Sequence, residues 1–366
     1  MPVGIYIHLP FCRNHCTYCA FAISTDLTQE EAYVDALVRE ISAGEAAPPA
    51  PVASIYFGGG TPSRTSLAGM TRVVDAIRGS YEISPGAEFS MEANPEDISE
   101  ESLAAWRAMG VNRISIGVQS FHDMELIPLG RVHGAERARA AVAMTVASGL
   151  RTNLDLMLGL PRQTPRSFAE TLDTATSLGV GHISLYMLDL EEKSPLAVQV
   201  ERGRTQLPEE SATADLYLEA IRILEAAGLH QYEISNFARS GEECLHNLRY
   251  WTRGPYLGFG LGAHSFMGER RFANTRDIRQ YIARAPHAQD FTETLGEPEA
   301  KRETLFLGLR QTTGIDYEDV ARLCGQEGME WMDRGLRDGW LRRADGRVAF
   351  TPSGFLVSNE LISQLF

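Results

Sequence analysis

Apolar and polar positions follow two different periods along this chain. Short β-branched or aromatic runs stand at 3–9 ("VGIYIHL"), 52–58 ("VASIYFG"), 87–93 ("AEFSMEA"), 112–120 ("NRISIGVQS"), 151–159 ("RTNLDLMLG") and 181–188 ("GHISLYML"). Between them lie stretches with apolar residues at helical spacing and a closing glycine, such as "TQEEAYVDALVREISAG" at 28–44 and "ERARAAVAMTVASG" at 136–149. Strand-then-helix units repeated in this way predict a parallel sheet. Polar or glycine residues recur at the ends of these strands: "GGGTPS" at 58–63, Glu92, Gln119 and Asp155. Several strand ends converging on one site are the mark of a barrel rim. The expected fold class is therefore α/β, a partial (β/α)6 TIM-like barrel.

Past about residue 205 the rhythm changes. A long helix is predicted over 209–228, followed by a Gly- and aromatic-rich stretch "LHNLRYWTRGPYLGFGLGAHSF" at 245–266. The polar segment "APHAQDFTETLGEPEA" at 285–300 reads as a linker, and "AAPPAP" at 46–51 as a turn-like connector. The last stretch predicts helices, two short strands around "ADGR" and a final helix, a smaller C-terminal, winged-helix-like domain. The expected division is a core at 1–205, an extension at 206–284 and the C-terminal domain at 300–366.

The formal net charge of −14, with no Lys/Arg-rich run, argues against nucleic acid as partner, so the winged-helix-like domain reads as structural. No apolar run reaches the roughly 18 to 20 residues of a membrane span. Met1 leads into "VGIYIHL" without a basic segment, and the expectation is a cytoplasmic protein.

Of five cysteines, three crowd into "HLPFCRNHCTYCAF" at 8–21. Cys12, Cys16 and Cys19 give C-x3-C-x2-C. Zinc wants four ligands, and though His8 or His15 could complete a set, the spacing matches no common zinc module. A [4Fe–4S] cluster suits better: three thiolates leave one iron open to a chelating small molecule. Cys244 and Cys324 stand apart and read as buried thiols.

These residues resemble the radical S-adenosylmethionine (SAM) superfamily, whose signature is C-x3-C-x2-C with an aromatic before the third cysteine, here Tyr18. "IYIHLPFC", "YFGGGTPS", "MEANPE", "RISIGVQSF" and "NLDLMLGLP" narrow the resemblance to the oxygen-independent coproporphyrinogen III oxidase family and its HemW haem-chaperone branch. The resemblance implies a radical SAM barrel with a [4Fe–4S] cluster, SAM and haem as cofactors. It implies Tyr6 near SAM, Gly59, Gly60 and Thr61 as a backbone cradle, and Glu92, Gln119, Arg131 and Asp155 holding SAM's amine, ribose hydroxyls and carboxylate. Carboxylates accept from ammonium or hydroxyl groups, and Arg pairs with a carboxylate in a fork, so the residue types suit these tasks. The oxidase branch carries a fourth cysteine two places beyond the third; Phe21 stands there instead, which favours the chaperone over the oxidase.

"HNLRYW" at 246–251 matches the chaperones' H-N-x-x-Y-W motif: His246 as axial haem ligand, with Asn247, Tyr250 and Trp251 completing it. Read without the resemblance, it is more often a hydrogen-bonded histidine among core aromatics. His264 is a weaker second haem candidate, and "GFGLGAH" at 258–264 lacks the dinucleotide glycine pattern. Implied partners are a haem donor and haem-acceptor proteins, respiratory haem proteins at the membrane among them, with a homodimer left open.

Overall fold

The computed structural model describes residues 2–44, 50–192 and 194–365; most of the connector at 46–51 lies outside the described residues. All six expected strands form: β1 (Val3–Leu9), β2 (Val52–Gly59), β3 (Ile83–Ala93), β4 (Arg113–Gln119), β5 (Arg151–Leu158) and β6 (His182–Met187). Each pairs in parallel with the next. The crossovers carry α1 (Glu30–Ala43), α2 (Leu67–Ser80), α3 (Glu100–Ala108), α4 (Asp123–Leu126) with α5 (Ala135–Ala147), and α6 (Pro165–Ser177). Ser66, Ser99 and Thr164 start α2, α3 and α6 by accepting from the backbone N–H three residues on, which satisfies donors that a helix start leaves open.

Period-two alternation divides each strand between two surroundings. Ile5, Ile7, Leu9, Ile55 and Phe57 are buried in one core with Val34, Leu37 and Ile41 of α1 and Val73 of α2. The intervening Tyr6, Tyr56, Ser90, Ser115, Asn153 and Ser184 share the other face, the inside of the partial barrel.

Beyond β6 follow α7 (Pro195–Glu201), α8 (Glu210–Ala226), β7 (His230–Gln231) and β8 (Asn236–Ala238), the last antiparallel to β6. After α9 (Leu245–Trp251), β9 (Tyr256–Phe259) returns to pair in parallel with β1. Then β10 (His264–Met267), β11 (Arg270–Asn274), α10 (Ile278–Arg284) and β12 (Gln289–Thr294) extend the antiparallel side. The segment expected to be a linker thus carries an edge strand at its centre and the start of α11 at its end. Its "QDFTET" holds one large apolar residue, half-exposed Phe291, so the apolar run that marks a strand is missing.

The chain closes with α11 (Glu297–Gly308), β13 (Ile315–Asp316), α12 (Tyr317–Arg337, bent at Gly325), β14 (Leu341–Ala344), β15 (Arg347–Phe350), α13 (Pro352–Leu356) and α14 (Ser358–Ser363). In the β14–β15 turn Asp345 and Gly346 both have positive φ, 51° and 77°, as "ADGR" predicts. No helix among the described residues is long and apolar enough to cross a membrane.

A half-buried carboxylate locks the β9–β11 extension to the barrel. Glu40 of α1 accepts from Tyr281 Oη and Asn274 Nδ2 (both 2.6 Å) and from the Gly260 N–H (2.9 Å), and burial pushes its pKa up to about 7. At β9 the backbones are closer still: a Cβ on Gly258 would lie 2.0 Å from the His264 carbonyl oxygen. Gly258→Ala should therefore cost roughly 1–3 kcal/mol by forcing β9 and β10 apart. Gly79→Ala, whose Cβ meets nothing within 4 Å, is the control. Urea midpoints should fall for the first and hold or rise slightly for the second.

Candidate functional site

At the C-terminal ends of the parallel strands lies a cavity of about 290 Å3 into which Cys12, Cys16 and Cys19 all open. The loop that carries them is pinched at its base, where Ser24 N–H donates to Pro10 O (2.8 Å) and Cys12 N–H to Ser24 O (2.9 Å). Its tip is tied down by Thr17 N–H to Leu129 O (3.1 Å). Thr61 Oγ1 donates to Cys12 Sγ (3.4 Å), and an Arg131 Nη1 hydrogen approaches Cys16 Sγ (3.6 Å between heavy atoms). Burial pushes the Cys12 thiol up to about 11, so it stays protonated until a metal displaces the proton. Gly59 has φ 112°, and a Cβ on Gly60 would lie 2.5 Å from Pro10's carbonyl. Only bare backbone fits there. Soft thiols around a cavity walled by glycine backbone fit a [4Fe–4S] cluster with a small ligand beside it. His8 Nε2 is bonded to Ala22 O (2.9 Å) and His15 Nε2 to Cys19 O (3.0 Å). Both histidines thus have partners of their own within the loop.

The walls collect most of the expected SAM residues. Gly59, Gly60, Thr61, Glu92, Gln119, Arg131 and Asp155 all line the same cavity. Glu92 accepts from Tyr56 Oη (2.9 Å), and its pKa is pushed up to about 8, chiefly by burial and next by Asp155. Asp155 accepts from Ser115 Oγ (3.0 and 3.1 Å) and Asn153 Nδ2 (2.8 Å), and burial likewise raises it. Gln119 holds a left-handed φ of 66° at the end of β4, a strained conformation of the kind binding sites retain. Two of the expected residues have partners of their own here. Arg131 is not a free fork: Nη2 donates to Asn94 Oδ1 (2.6 Å) and Gly117 O (2.7 Å), while Nε is buried with no partner. Tyr6 lines the neighbouring cleft instead of this cavity, with its ring stacked 6.3 Å from that of Tyr56.

The "HNLRYW" segment, α9, sits under the other end of the barrel. Glu88 of β3, 2% exposed, accepts the Leu245 and His246 N–H groups (3.0 Å each) and the Cys244 thiol (3.4 Å). This plants His246 inside the barrel, 1% exposed, with Nδ1 on Ser54 Oγ (3.0 Å) and Nε2 on Tyr250 Oη (2.8 Å). Its ring stacks on Tyr56 at 5.2 Å, and Tyr56 in turn holds Glu92. Both nitrogens are engaged, so in this arrangement His246 offers no lone pair to iron. Tyr250 and Trp251 open into separate cavities and do not share one porphyrin face. Asn247 turns its backbone N–H to the Cys244 sulfur.

Residues 6–175 match the radical SAM superfamily and residues 295–357 the HemN C-terminal domain. The chain is 36% identical to the heme chaperone HemW of Bacillus subtilis (strain 168) over 97% of both proteins. It is 33% identical to the heme chaperone HemW of Escherichia coli (strain K12), over 99% of this chain and 97% of that protein. This chain belongs to the HemW branch of the radical SAM superfamily. The superfamily implies a [4Fe–4S] cluster and SAM. A mitochondrial relative from Bos taurus, radical S-adenosyl methionine domain-containing protein 1, is 36% identical over 86% of this chain and 74% of that protein. In fold, coproporphyrinogen III oxidase (HemN) from Escherichia coli superposes with a TM-score of 0.86 at 24% identity, covering 100% of this chain and 90% of that one.

Reading the sequence missed the residues that support these HemW-branch groups: Tyr56, Asn94, Ser115, Asn153 and Glu88. Four of them were within reach. Tyr56 precedes Gly58 by two and Glu88 precedes Glu92 by four, so strand period alone puts them on the inner face; Ser115 and Asn153 share it with Gly117 and Asp155. Asn94 lies past the end of β3, where that rule stops.

Burial holds the His246 pKa down to about 3. Neutral when folded and protonated near 6.5 when unfolded, it contributes stability that is present above pH 6.5 and lost as pH falls toward 3. His246→Ala should cost roughly 1–3 kcal/mol at neutral pH by orphaning Ser54 and Tyr250. It should also flatten the loss of stability below pH 6.5 by up to about 1.4 kcal/mol per pH unit. Denaturation at pH 7.5, 6 and 5 reads both, and an unchanged slope would contradict the neutral, bonded imidazole.

Proposed function

We propose that this chain binds haem and passes it to an acceptor protein, using a barrel that holds a [4Fe–4S] cluster and SAM at its rim. The observation that carries the reading is the similarity, over nearly the whole chain, to proteins named heme chaperone HemW. Phe21 at the place of the oxidase branch's fourth cysteine supports it. Likeness to the oxidase HemN is one of fold.

In this reading Cys12, Cys16 and Cys19 hold the cluster, and the backbone at Gly59, Gly60 and Thr61 cradles the amino-acid end of SAM. Glu92 and Asp155 face its charged and hydroxyl groups. Arg131 is a brace that ties the cysteine loop, at Cys16, to Gly117 of β4 and to Asn94 just past β3. Bound, the cluster supplies one open iron and an electron; the chain's task is to orient SAM and keep water out. The haem donor and acceptor are proteins, with respiratory haem proteins as acceptors, and the compartment is the cytoplasm.

After anaerobic reconstitution the wild type should take up iron, sulfide and haem, yet convert no coproporphyrinogen III in the presence of SAM and reductant. Replacing Cys12, Cys16 and Cys19 together by Ala should abolish iron and sulfide uptake. Sustained turnover to protoporphyrinogen would favour the oxidase reading, and an unchanged cluster content in the triple variant would remove the ligand assignment.

Glu92 is raised to about 8, so at neutral pH it is mostly protonated before a cation arrives. SAM carries a permanent sulfonium charge, and its binding should draw the proton off. SAM affinity should accordingly rise between pH 6.5 and 8.5, with proton release at pH 7 read by calorimetry in buffers of different ionisation enthalpy. Glu92→Gln should remove the pH dependence along with most of the affinity.

A further inference from the structure

With His246 bonded at both nitrogens, iron in a bound haem needs another ligand. The other buried imidazoles face partners of their own: His8 is bonded to Tyr6 Oη and Ala22 O, His182 to Asn153 and Tyr232, and His133 to Val118 O with its Nδ1 3.3 Å from the Glu96 carboxylate. Cys244 is buried, with its thiol on Glu88. His264 differs. It opens β10 with an exposed side chain, and its ring makes no hydrogen bond among the described residues. It lines an open cleft of about 300 Å3 together with Tyr6, Tyr250, Tyr256, Phe21 and Arg276.

The cleft's chemistry points to one kind of occupant. Phe21 is 70% exposed and Phe291, whose ring lies 6.3 Å from that of His264, is 42% exposed. Large apolar rings facing water around a cleft call for a flat apolar partner. Arg276 donates one bond to Ala20 O (3.2 Å) and has no carboxylate partner among the described residues, whereas neighbouring Arg271 is held by Glu293 and Glu303. An imidazole without a hydrogen bond, a guanidinium without a carboxylate and aromatic rings match the iron, a propionate and the apolar faces of haem. We propose that haem docks in this cleft, with His264 as an axial ligand and Arg276 pairing with a propionate. The inference rests on the haem-transfer reading above. Partial burial and the charges of Arg271 and Arg276 hold the His264 pKa below its ordinary value, so its lone pair is free at neutral pH. Phe21 also lines the cluster cavity, so haem in this cleft would lie against the loop that carries the three cysteines.

The test is titration of ferric haem into the full chain, read by the Soret band and electron paramagnetic resonance. His264→Ala should weaken binding about tenfold or more and lose the imidazole signature, which added free imidazole should restore. His264→Met should change the spectrum while keeping measurable binding. Arg276→Gln should weaken binding a few-fold with the Soret position unmoved. Circular dichroism and cluster content of each variant check that the fold persists. Wild-type affinity and spectrum in His264→Ala would overturn the cleft assignment and leave the haem reading intact. A wild-type protein that takes up no haem would overturn both.

Discussion

A buried charge governs the layout of this molecule. Glu88 sits inside the barrel, and a carboxylate taken out of water there is costly unless donors meet it. The donors come from more than 150 residues away in sequence: two backbone N–H groups at the start of α9 and the Cys244 thiol. Meeting that charge sets α9 across the end of the barrel. From that placement follow the bonds of His246 to Ser54 and Tyr250, the stacking on Tyr56 and the hold of Tyr56 on Glu92. The segment that reads as a ligand motif in one dimension is, in three, the floor on which the cavity's carboxylate stands.

The barrel interior is polar from floor to rim, and its polar groups are largely matched to one another. His182, Asn153, Ser184, Ser115 and Asp155 form one connected set. Exceptions include Arg131 Nε at the rim and Ser90 Oγ deeper in β3, both buried without a hydrogen-bond partner, and Glu92, which is pushed away from its ordinary ionisation. An unpartnered buried guanidinium nitrogen and a perturbed carboxyl facing the same cavity are what a ligand site for a charged molecule offers.

Much of this was legible in the sequence because it is local. Six period-two runs, three cysteines within eight positions and a glycine triplet need no knowledge of what lies across the fold. What the sequence leaves open is depth. His246 and Tyr6 have suitable chemistry, but whether a side chain reaches a cavity depends on its layer, and layer follows from the strand register Gly4–Ser54–Glu88. Edge strand β12 escaped for the opposite reason: with one face and one edge in water it needs few apolar residues, so it reads as linker. Arg131 was rightly placed at the cavity, but its bonds to Asn94 and Gly117 belong to tertiary packing.

The pairing of β1 with β9 joins Gly4 to Tyr256. On a ribosome adding roughly 5–20 residues each second, β1 waits on the order of 10 to 50 s before that partner strand exists. Through that interval one side of the first strand made has unpaired N–H and C=O groups, next to the loop that carries the thiols. The nascent barrel therefore passes through a stage in which its metal-binding loop and an open strand edge are exposed together, and oxidation or strand-to-strand association at that stage competes with completion of the fold.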